Sequence, residues 1–206
     1  MEGKFITFEG PEGSGKTSVI KAVTAFLTDK GYDILTTREP GGIKISEKIR
    51  DIILDVEHTE MTARAEALLY AASRGQHYEE KIAPALKENK LILCDRFIDS
   101  SLAYQGHARK IGIDEVYEIN KFAIGSKLPD LTIFIDVPPA VGLKRVFSND
   151  RKVDRLDLES LQFHELVYEG YMILIDKYSD RIKKVNGTNK IEEVVQDTLK
   201  LIQEIL

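Results

Sequence analysis

Five short apolar runs alternate along the chain with longer segments in which apolar residues recur at helical spacing. The runs are Phe5–Glu9, Tyr32–Thr37, Leu91–Asp95, Leu131–Asp136 and Ile182–Asn186. Nearly continuous apolar strands between helices are typical of a parallel sheet buried on both faces, so the pattern predicts an α/β protein with helices on either side. Because ligands of such sheets bind at the carboxyl ends of the strands, the residues directly after each run are the functional candidates.

The segments between the runs predict the helices. These lie at positions 18–30, 45–54, 62–86, 115–124, from Pro139 onwards, 158–178 and after a cap at Asn189. In the 62–86 helix, Arg74 lies four residues after Tyr70, and His77 is expected to be an incidental surface or packing histidine. The 158–178 helix carries a one-sided stripe that we interpret as core, formed by Leu161, Tyr168, Tyr171, Ile175 and Tyr178.

The first run leads directly into Gly10-Pro-Glu-Gly-Ser-Gly-Lys16-Thr17, which fits the phosphate-loop pattern of two glycines flanking four residues, followed by Lys and Thr. The glycines allow successive backbone N–H groups to converge on phosphate oxygens. Lys16 can reach the β- and γ-phosphates, and the Thr17 hydroxyl suits Mg²⁺. A glycine-rich turn with an incidental lysine is the simpler alternative, but the strand before the loop and the helix after it favour a nucleoside triphosphate site.

Polar residues also follow the second and third runs. Arg38-Glu-Pro-Gly-Gly42 is either an ordinary surface turn or a charged turn placed where ligands bind. Asp95 ends the third run and is positioned to orient Mg²⁺, directly or through water, while the planar fork of Arg96 suits phosphate. The alternative makes Asp95 and Arg96 a local ion pair. Further polar groups follow at roughly helical spacing, namely Ser100, Ser101, Tyr104 and Gln105.

A segment rich in cations runs from Lys144 to Arg155, between two helical patterns. Such a segment is usually a solvated loop. Beside a phosphate loop, a mobile lid that brings an arginine to a transferring phosphoryl group explains it better, and we place this lid at about 145–156.

The stretch Asn120-Lys-Phe-Ala123 superficially resembles the Asn-Lys-x-Asp motif with which GTPases recognise guanine. Position 123 is Ala, where that motif requires a carboxylate. Guanine recognition by this route is therefore excluded.

Composition limits the number of domains and the kinds of binding partner that the chain can have. With 206 residues, of which 43% are hydrophobic, the chain can bury one sizeable core, and we expect a single domain over residues 1–206. A formal net charge of −5 argues against a nucleic-acid-binding surface. We interpret the only cysteine, Cys94, as a buried small residue. Since the chain has neither a signal-peptide pattern nor an apolar run of bilayer length, we expect no membrane partner and a cytoplasmic location.

Four stretches together resemble thymidylate kinases, in the order of that family and over nearly the whole chain. They are Phe-Glu-Gly-Pro-Glu-Gly-Ser-Gly-Lys-Thr (8–17), Arg-Glu-Pro-Gly-Gly (38–42), Ala-Ala-Ser-Arg (71–74) and Asp-Arg-Phe-Ile-Asp-Ser-Ser-Leu-Ala-Tyr-Gln (95–105). The resemblance implies transfer of the γ-phosphoryl group from MgATP to dTMP, giving dTDP for dTTP biosynthesis and DNA synthesis. It also implies a homodimer with the three-layer α/β/α fold of P-loop nucleoside-monophosphate kinases, in which a five-stranded parallel sheet has the order 2-3-1-4-5 and a short lid covers the site.

The resemblance further implies how the base is selected. Arg74 has only N–H donors, so it can satisfy the O4 acceptor of thymine but opposes the exocyclic amine of cytosine. Gln105 offers a donor and an acceptor to the rest of the imide edge, and Tyr104 lies beneath the sugar, where a 2′-hydroxyl would collide. Rejecting dUMP is harder, because one methyl group in an apolar pocket is worth only about 1–3 kcal/mol.

The other implied roles follow the same motifs. The dTMP-binding residues are Glu12 at the 3′-hydroxyl, Arg50 and Arg96 at the phosphate, Tyr70 stacked on the base, and Glu39, Pro40, Arg74, Ser100, Ser101, Tyr104 and Gln105. The ATP-binding residues are Gly10, Pro11, Glu12, Gly13, Ser14, Gly15, Lys16, Thr17 and Ser18, with Thr17 and Asp95 at Mg²⁺. Some family members carry a catalytic Arg at the position of Gly13, so this chain should recruit its cation from the lid. The catalytic residues are then Lys16, Arg96 and a lid arginine, with Arg151 as the first choice and Arg145 and Arg155 as alternatives.

Two rival functions remain open. A kinase for nucleosides or for another monophosphate predicts turnover of thymidine or dCMP, and two arginines reserved for an acceptor phosphate argue against the nucleoside case. A P-loop switch that controls a partner predicts slow nucleotide hydrolysis without an acceptor, and the lack of a guanine motif argues against its GTPase form.

Overall fold

The five apolar runs form one parallel sheet in the computed structural model, which describes residues 3–148 and 153–206. The strands are β1 (Lys4–Glu9), β2 (Ile34–Arg38), β3 (Leu91–Asp95), β4 (Leu131–Asp136) and β5 (Ile182–Asn186). Their order is β2-β3-β1-β4-β5, and all neighbouring strands are parallel. The predicted fold class and strand order are confirmed, although β2 begins two residues later than predicted.

Helices connect the strands on both sides of the sheet. They are α1 (Lys16–Asp29), α2 (Lys44–Leu54), α3 (Ala63–His77), α4 (Ala83–Lys87), α5 (Ile98–Ser101), α6 (Ile113–Ile124), α7 (Pro139–Phe147), α8 (Leu161–Lys177) and α9 (Ile191–Gln203). The helix predicted for 62–86 is confirmed with one irregularity, because a π-helical turn at Tyr78–Ile82 lies between α3 and α4 and the chain stays helical from Ala63 to Lys87. Pro84 accounts for the π-helical turn, since it has no N–H to donate and its ring would clash with the carbonyl group of Glu80 in a regular α-helix.

Other predicted boundaries also differ from the structure, for example at α1 and α6, which each begin two residues earlier than predicted. The start of α8 moves from 158 to Leu161, because the Ser160 side chain accepts a hydrogen bond from the Phe163 N–H and caps the helix there. Asn189 does not cap α9, because its side chain accepts from Asn186 instead and the residue before the helix is Lys190. α7 continues to Phe147, so the first part of the predicted lid is helical.

The sheet is buried on both faces because successive side chains of each strand point to opposite sides. Phe5 and Ile92 pack with residues of α3, α6 and α8 on one face, whereas Ile6 and Leu93 pack with α1 and α9 on the other. Cys94 is fully buried in the first of these cores, as predicted. The result is the expected three-layer arrangement.

The register of the sheet aligns the ends of three strands. Phe8 of β1 and Arg38 of β2 both pair with Asp95 at the end of β3. The loops after these strands therefore begin side by side at one edge of the sheet. Within residues 3–148 and 153–206, no helix is both long and apolar enough to span a membrane.

Candidate active site

The phosphate loop joins β1 to α1 and packs against α7. Gly13 and Gly15 have φ angles of +68° and +94°, in the left-handed region that favours glycine. A Cβ atom on Gly13 would lie 2.1 Å from the carbonyl oxygen of Gly142, which is backbone of α7 and cannot move aside easily. Position 13 therefore excludes any side chain, so a cation beyond Lys16 must come from another segment.

Lys16 is folded back onto the phosphate loop. Its Nζ donates to the carbonyl oxygens of Gly10 and Pro11, both at 3.0 Å, and lies 3.3 Å from Ser14 Oγ. Burial and the nearby charge of Arg96 lower the pKa of Lys16 to about 8. A phosphate group would supply the negative charge that stabilises the protonated ammonium group at this position.

Thr17 and Asp95 form the candidate metal site. The Thr17 hydroxyl donates to Asp95 Oδ2 at 3.1 Å, so a hydroxyl and a carboxylate meet between the start of α1 and the end of β3. Hard oxygen donors of this kind suit Mg²⁺, which commonly binds one or two protein oxygens together with substrate phosphates and water. In the part of the chain that the structure describes, no group of three His, Cys, Asp or Glu side chains could hold a metal. These residues thus fit a metal that is shared with a substrate.

Arg96 sits directly after β3 with a φ angle of +68°, which is unusual for a residue with a side chain. Its Nη2 donates to Glu12 at 2.6 Å and to the Tyr104 hydroxyl at 3.2 Å. Its Nη1 donates to Ser100 Oγ at 3.1 Å and to the Tyr171 hydroxyl at 3.2 Å. Contacts to four side chains hold the guanidinium in one orientation, which offsets the local backbone strain.

The buried carboxylate of Glu9 holds the hydroxyl groups that contact Arg96. Glu9 Oε1 accepts from the backbone N–H groups of Phe97 and Ser100, and Oε2 accepts from Ser100 Oγ and the Tyr171 hydroxyl. Burial and the charge of Asp99 raise the pKa of Glu9 to about 7. Glu9 thus orients the two hydroxyl groups that in turn contact Arg96.

Arg74 lies at the opposite end of the site and is almost fully buried. Its Nε donates to Glu39 at 2.7 Å, its Nη2 to the Phe97 carbonyl at 3.0 Å, and its Nη1 to Ser101 Oγ at 2.9 Å and to Asn120 Oδ1. A guanidinium has five N–H donors, so one N–H of Nη2 has no partner among the described residues. Because Arg74 lines a narrow cavity, this donor is a candidate for contact with a ligand.

Gln105 is oriented by a second buried carboxylate. Its Nε2 donates to Glu66 at 2.9 Å, which leaves its amide oxygen as an acceptor. Glu66 also accepts from Arg109 at 3.1 Å and from Arg155 at 2.6 Å, and Arg155 Nε donates to the Ile53 carbonyl. Burial alone would raise the pKa of Glu66, but these donors and charges lower it below its ordinary value.

Two adjoining cavities connect the groups described so far. The outer cavity has a volume of about 540 Å³ and extends from the phosphate loop to Arg50, Arg96 and Arg145. The inner cavity is narrow, about 30 Å³, and ends at Arg74 and Gln105. Both are lined by Glu12, Glu39, Pro40, Tyr70, Arg96 and Leu156. One continuous cleft therefore has cationic groups in its wide part and an oriented donor and acceptor at its closed end.

Comparison with known proteins identifies the family. A family model described as thymidylate kinase matches residues 8–198. The chain belongs to the thymidylate kinase family. The thymidylate kinase of Oceanobacillus iheyensis is 57% identical over the whole chain and 92% of that relative, and that of Clostridium novyi is 56% identical over 95% of this chain and 96% of the relative.

A solved structure of the same family agrees with the fold. The crystal structure of thymidylate kinase from Ehrlichia chaffeensis superposes with a TM-score of 0.79 at 29% identity, covering 98% of this chain and 99% of the other. The predicted family and enzyme class, a kinase of nucleotide biosynthesis, are confirmed by these matches.

The structure brings most of the predicted thymidylate kinase residues to the cleft. The predicted dTMP-binding residues that line the inner cavity are Glu12, Glu39, Pro40, Tyr70, Arg74, Arg96, Ser100, Tyr104 and Gln105. Arg50 lines the outer cavity, and Ser101 lies behind Arg74. Of the predicted ATP-binding residues, positions 12–18 line the outer cavity, whereas Gly10 and Pro11 present their carbonyl groups to Lys16.

The three candidate lid arginines of this thymidylate kinase differ in position. Arg145 lines the outer cavity, and its Nη1 lies 3.4 Å from the Gly13 carbonyl oxygen and 3.5 Å from that of Gly187. Arg155 is instead held by Glu66. Arg151 lies outside the described residues.

Sequence reasoning missed several residues that position the site. Glu9 follows the rule used for other strand ends and could have been found by it. Tyr171 was assigned to the core, and it is buried, but its hydroxyl contacts Arg96. His77 is not incidental, because it is fully buried between Glu39, at 3.0 Å, and Thr37, at 2.7 Å. No local signal distinguishes such contacts from ordinary packing.

Proposed function

We propose that this chain transfers the γ-phosphoryl group of ATP to dTMP, giving dTDP, with Mg²⁺ as its metal cofactor. The observation that carries the proposal is the position of Lys16 and Arg96 on one cavity whose inner end is closed by Arg74. The phosphates of two nucleotides can meet between these cations when one base occupies the inner cavity. Membership of the thymidylate kinase family supports the same substrate pair.

The closed end of the cleft has the hydrogen-bonding pattern of thymine. The remaining N–H of Arg74 can donate to O4, and the amide oxygen of Gln105 can accept from N3–H, because the bond from Gln105 Nε2 to Glu66 fixes the orientation of the amide. Cytosine presents an amine donor and a ring acceptor at the same two positions, so both contacts would become repulsive. This complementarity supports dTMP over dCMP.

The remaining predicted dTMP contacts follow from the lining of the cleft. Arg50 and Arg96 hold the acceptor phosphate, and Glu12, which pairs with Arg96 at 2.6 Å, accepts from the 3′-hydroxyl. Tyr70 stacks on the base and Tyr104 lies beneath the sugar. The other residues hold these groups in place, since Ser100 contacts Arg96, Ser101 and Glu39 contact Arg74, and the Pro40 carbonyl accepts from Arg50.

Alignment and charge neutralisation carry the reaction, because the acceptor phosphate is already an anionic nucleophile and needs no strong base. Lys16 and Arg96 stabilise the charge that spreads over the transferred group. Thr17 and Asp95 would hold Mg²⁺, which would supply positive charge next to the phosphates. A lid arginine, first Arg151 and otherwise Arg145 or Arg155, adds a further cation while the closed lid excludes water.

A panel of acceptors tests the proposed function. MgATP is incubated with dTMP, dUMP, dCMP, thymidine or no acceptor, and ADP release is measured. We expect dTMP to give the highest kcat/KM. Thymidine or dCMP as the best acceptor would favour another kinase, and ADP release that is independent of any acceptor would favour a P-loop switch.

The pH dependence of ATP use follows from the pKa of Lys16. Since this pKa is lowered to about 8, the free enzyme holds the protonated ammonium below pH 8 and loses it above. Phosphates bind the protonated form, so kcat/KM for ATP should fall about tenfold between pH 7 and pH 9. The profile is measured with dTMP well below its KM, so that ATP reacts with the form of the enzyme to which this pKa applies. Lys16→Arg, which keeps its charge, should flatten the profile over this range, and an equally steep fall in that variant would assign the titration to another group.

Removing Arg74, which is proposed to contact the base, should weaken the binding of dTMP but not that of ATP. Arg74→Ala is expected to weaken dTMP binding about 10²-fold and to leave ATP binding within about twofold, because Arg74 lines the inner cavity and not the outer one. Titration calorimetry with each nucleotide measures both affinities. Equal losses for dTMP and ATP would contradict the role assigned to Arg74.

We also propose that the chain forms a homodimer through the packed helices α2, α3 and α6. Each exposes a large apolar side chain, namely Ile52 (45% exposed), Leu68 (57%) and Phe122 (95%). A second copy would cover these side chains, each with about 1.5–3 kcal/mol of burial energy. In a two-fold symmetric dimer, the same face of each copy forms the interface, so every contact occurs twice.

Phe122→Asp is therefore expected to convert the dimer to a monomer at micromolar concentration, because the charge is introduced twice at one symmetric interface. Size-exclusion chromatography with light scattering measures the mass. The matched control is Phe26→Asp on α1, a helix outside the proposed interface, which should remain dimeric. A dimeric Phe122→Asp protein would remove this face from the interface.

The predicted cytoplasmic location belongs to the same proposal. It is supported by the family's place in nucleotide biosynthesis. A formal net charge of −5 also supports small anionic nucleotides at a local basic site, with no nucleic-acid partner.

A further inference from the structure

We propose that Asn120 is a positioning residue that fixes the orientation of Arg74 and thereby sets the selectivity for thymine over cytosine. The inference rests on the proposed function, in which Arg74 contacts the base. It assigns a role to the Asn120–Ala123 stretch, which lacks the carboxylate required for guanine recognition. Asn120 itself lines neither cavity and reaches the substrate only through Arg74.

The amide of Asn120 can bind Arg74 in one orientation only. Asn120 is fully buried in α6, and its Nδ2 donates to the Val116 carbonyl at 2.8 Å, one helical turn earlier. This bond turns Oδ1 towards Arg74, where it accepts from Nη1. Because an amide oxygen is a neutral acceptor, Asn120 orients the guanidinium without adding a second negative charge beside Glu39.

The contact restrains the rotation of the whole guanidinium group. Nε is bound by Glu39, one N–H of Nη2 by the Phe97 carbonyl, and the two N–H groups of Nη1 by Ser101 and Asn120. Loss of the Asn120 oxygen leaves a buried N–H without an acceptor, which is costly, so the guanidinium turns to find another partner. The Nη2 donor that faces the base then turns with it.

The crossing of α3 and α6 makes the contact possible. Gly75 follows Arg74 in α3, and a Cβ atom at this position would lie 3.2 Å from the carbonyl oxygen of Ala123 in α6. The absence of a side chain at Gly75 allows the two helices to approach closely. As a result, a side chain as short as that of Asn120 reaches Arg74.

A loosened Arg74 can move away from the cytosine amine as well as from thymine O4. We therefore expect Asn120→Leu to raise KM for dTMP and to lower the ratio of kcat/KM for dTMP to that for dCMP about tenfold. KM for ATP should stay within about twofold, because the described residues that line the outer cavity include the phosphate loop but no residue of α6. A general loss of folding stability would reduce both substrates' rates together and leave the ratio unchanged.

Two variants form the comparison. Asn120→Asp keeps an oxygen acceptor for Arg74 and should hold the dTMP/dCMP ratio within about threefold of the original protein, whereas Asn120→Leu should not. Ile124→Val is the packing control, because Ile124 is buried in the same helix and belongs to the apolar core. An unchanged ratio in Asn120→Leu, or an equal loss in Asn120→Asp, would overturn the inference. If Asn120→Leu does not fold, Asn120→Ala removes the acceptor without added bulk and is judged by the same ratio.

A double-mutant cycle separates positioning from a purely structural role. In an Arg74→Lys background the fork that Asn120 orients is absent, so Asn120→Ala should change KM for dTMP less than twofold. Additive effects of the two substitutions would contradict action through Arg74. The proposed function and this inference can fail separately. If the original protein does not phosphorylate dTMP, the proposed function is overturned. If it does, but the dTMP/dCMP ratio is unaltered in Asn120→Leu, only this inference is overturned.

Discussion

Replacing Lys16 with Met is expected to lower kcat about 10³-fold. Met keeps an unbranched apolar side chain in the buried position but has no charge. In the structure Nζ binds the Gly10 and Pro11 carbonyl groups of the phosphate loop, and a bound triphosphate would draw it to the β- and γ-oxygens. Because charge on these oxygens increases in the transition state, the loss should appear in kcat more than in ATP affinity.

Single-turnover kinetics with saturating MgATP and dTMP measures this effect. Lys16→Arg is the matched variant and should retain part of the rate, since it restores a cation with different reach. The melting temperature serves as a control for folding. A kcat within tenfold of the original protein in Lys16→Met would show that Lys16 does not stabilise the transferred group.

Replacing Arg96 with Ala should lower kcat/KM for dTMP about 10³-fold, the second large effect. Arg96 is held by Glu12, Ser100, Tyr104 and Tyr171, so its charge is oriented before the substrate arrives. The substitution would remove the proposed contact with the acceptor phosphate and would leave the Glu12 carboxylate, now without Arg96, facing the same anion. Repulsion between Glu12 and the dTMP phosphate therefore adds to the loss of attraction by Arg96.

Steady-state kinetics with dTMP as the varied substrate measures the loss for Arg96. The kcat/KM of Arg96→Lys for dTMP should lie between that of the original protein and that of Arg96→Ala. The ammonium group of Lys keeps the charge, but it cannot bind two phosphate oxygens as the planar guanidinium does. Glu12→Gln in the Arg96→Ala background should recover part of the activity if repulsion contributes. A loss below tenfold in Arg96→Ala would place the acceptor phosphate elsewhere.

The backbone conformation of Arg96 also explains why buried side chains, such as Glu9 and Tyr171, surround it. Arg96 adopts a left-handed backbone conformation, which a residue with a side chain maintains only where several contacts over-determine it. Those contacts come from the phosphate loop, from the α5 region and from α8. The hydroxyl of Tyr171 links Arg96 to Glu9, at 3.2 Å and 2.8 Å, so the end of β1 and the end of β3 are joined through one side chain of α8.

Local pattern was sufficient for the elements that depend on nearby residues. The five strands, the phosphate loop and most helices follow from apolar periodicity, glycine spacing and caps within a few positions. A boundary failed where another local interaction competed with the pattern, as at Ser160, which caps α8 so that the helix starts three residues later than predicted. Pro84 accounts for a π-helical turn inside the long helix, whose extent follows the prediction.

By itself, the sequence determined the fold class, the strand order through the family resemblance, and the residue types that gather at the carboxyl edge of the sheet. Only the tertiary structure decided which polar side chains meet there. Tyr171 and Glu9 are 162 residues apart, and Arg74 and Asn120 are 46 apart. A hydrogen bond between such residues depends on how helices pack on the sheet and on one another, so no periodic pattern along the chain can predict it. That packing also decides which N–H of Arg74 is left without a partner among residues 3–148 and 153–206.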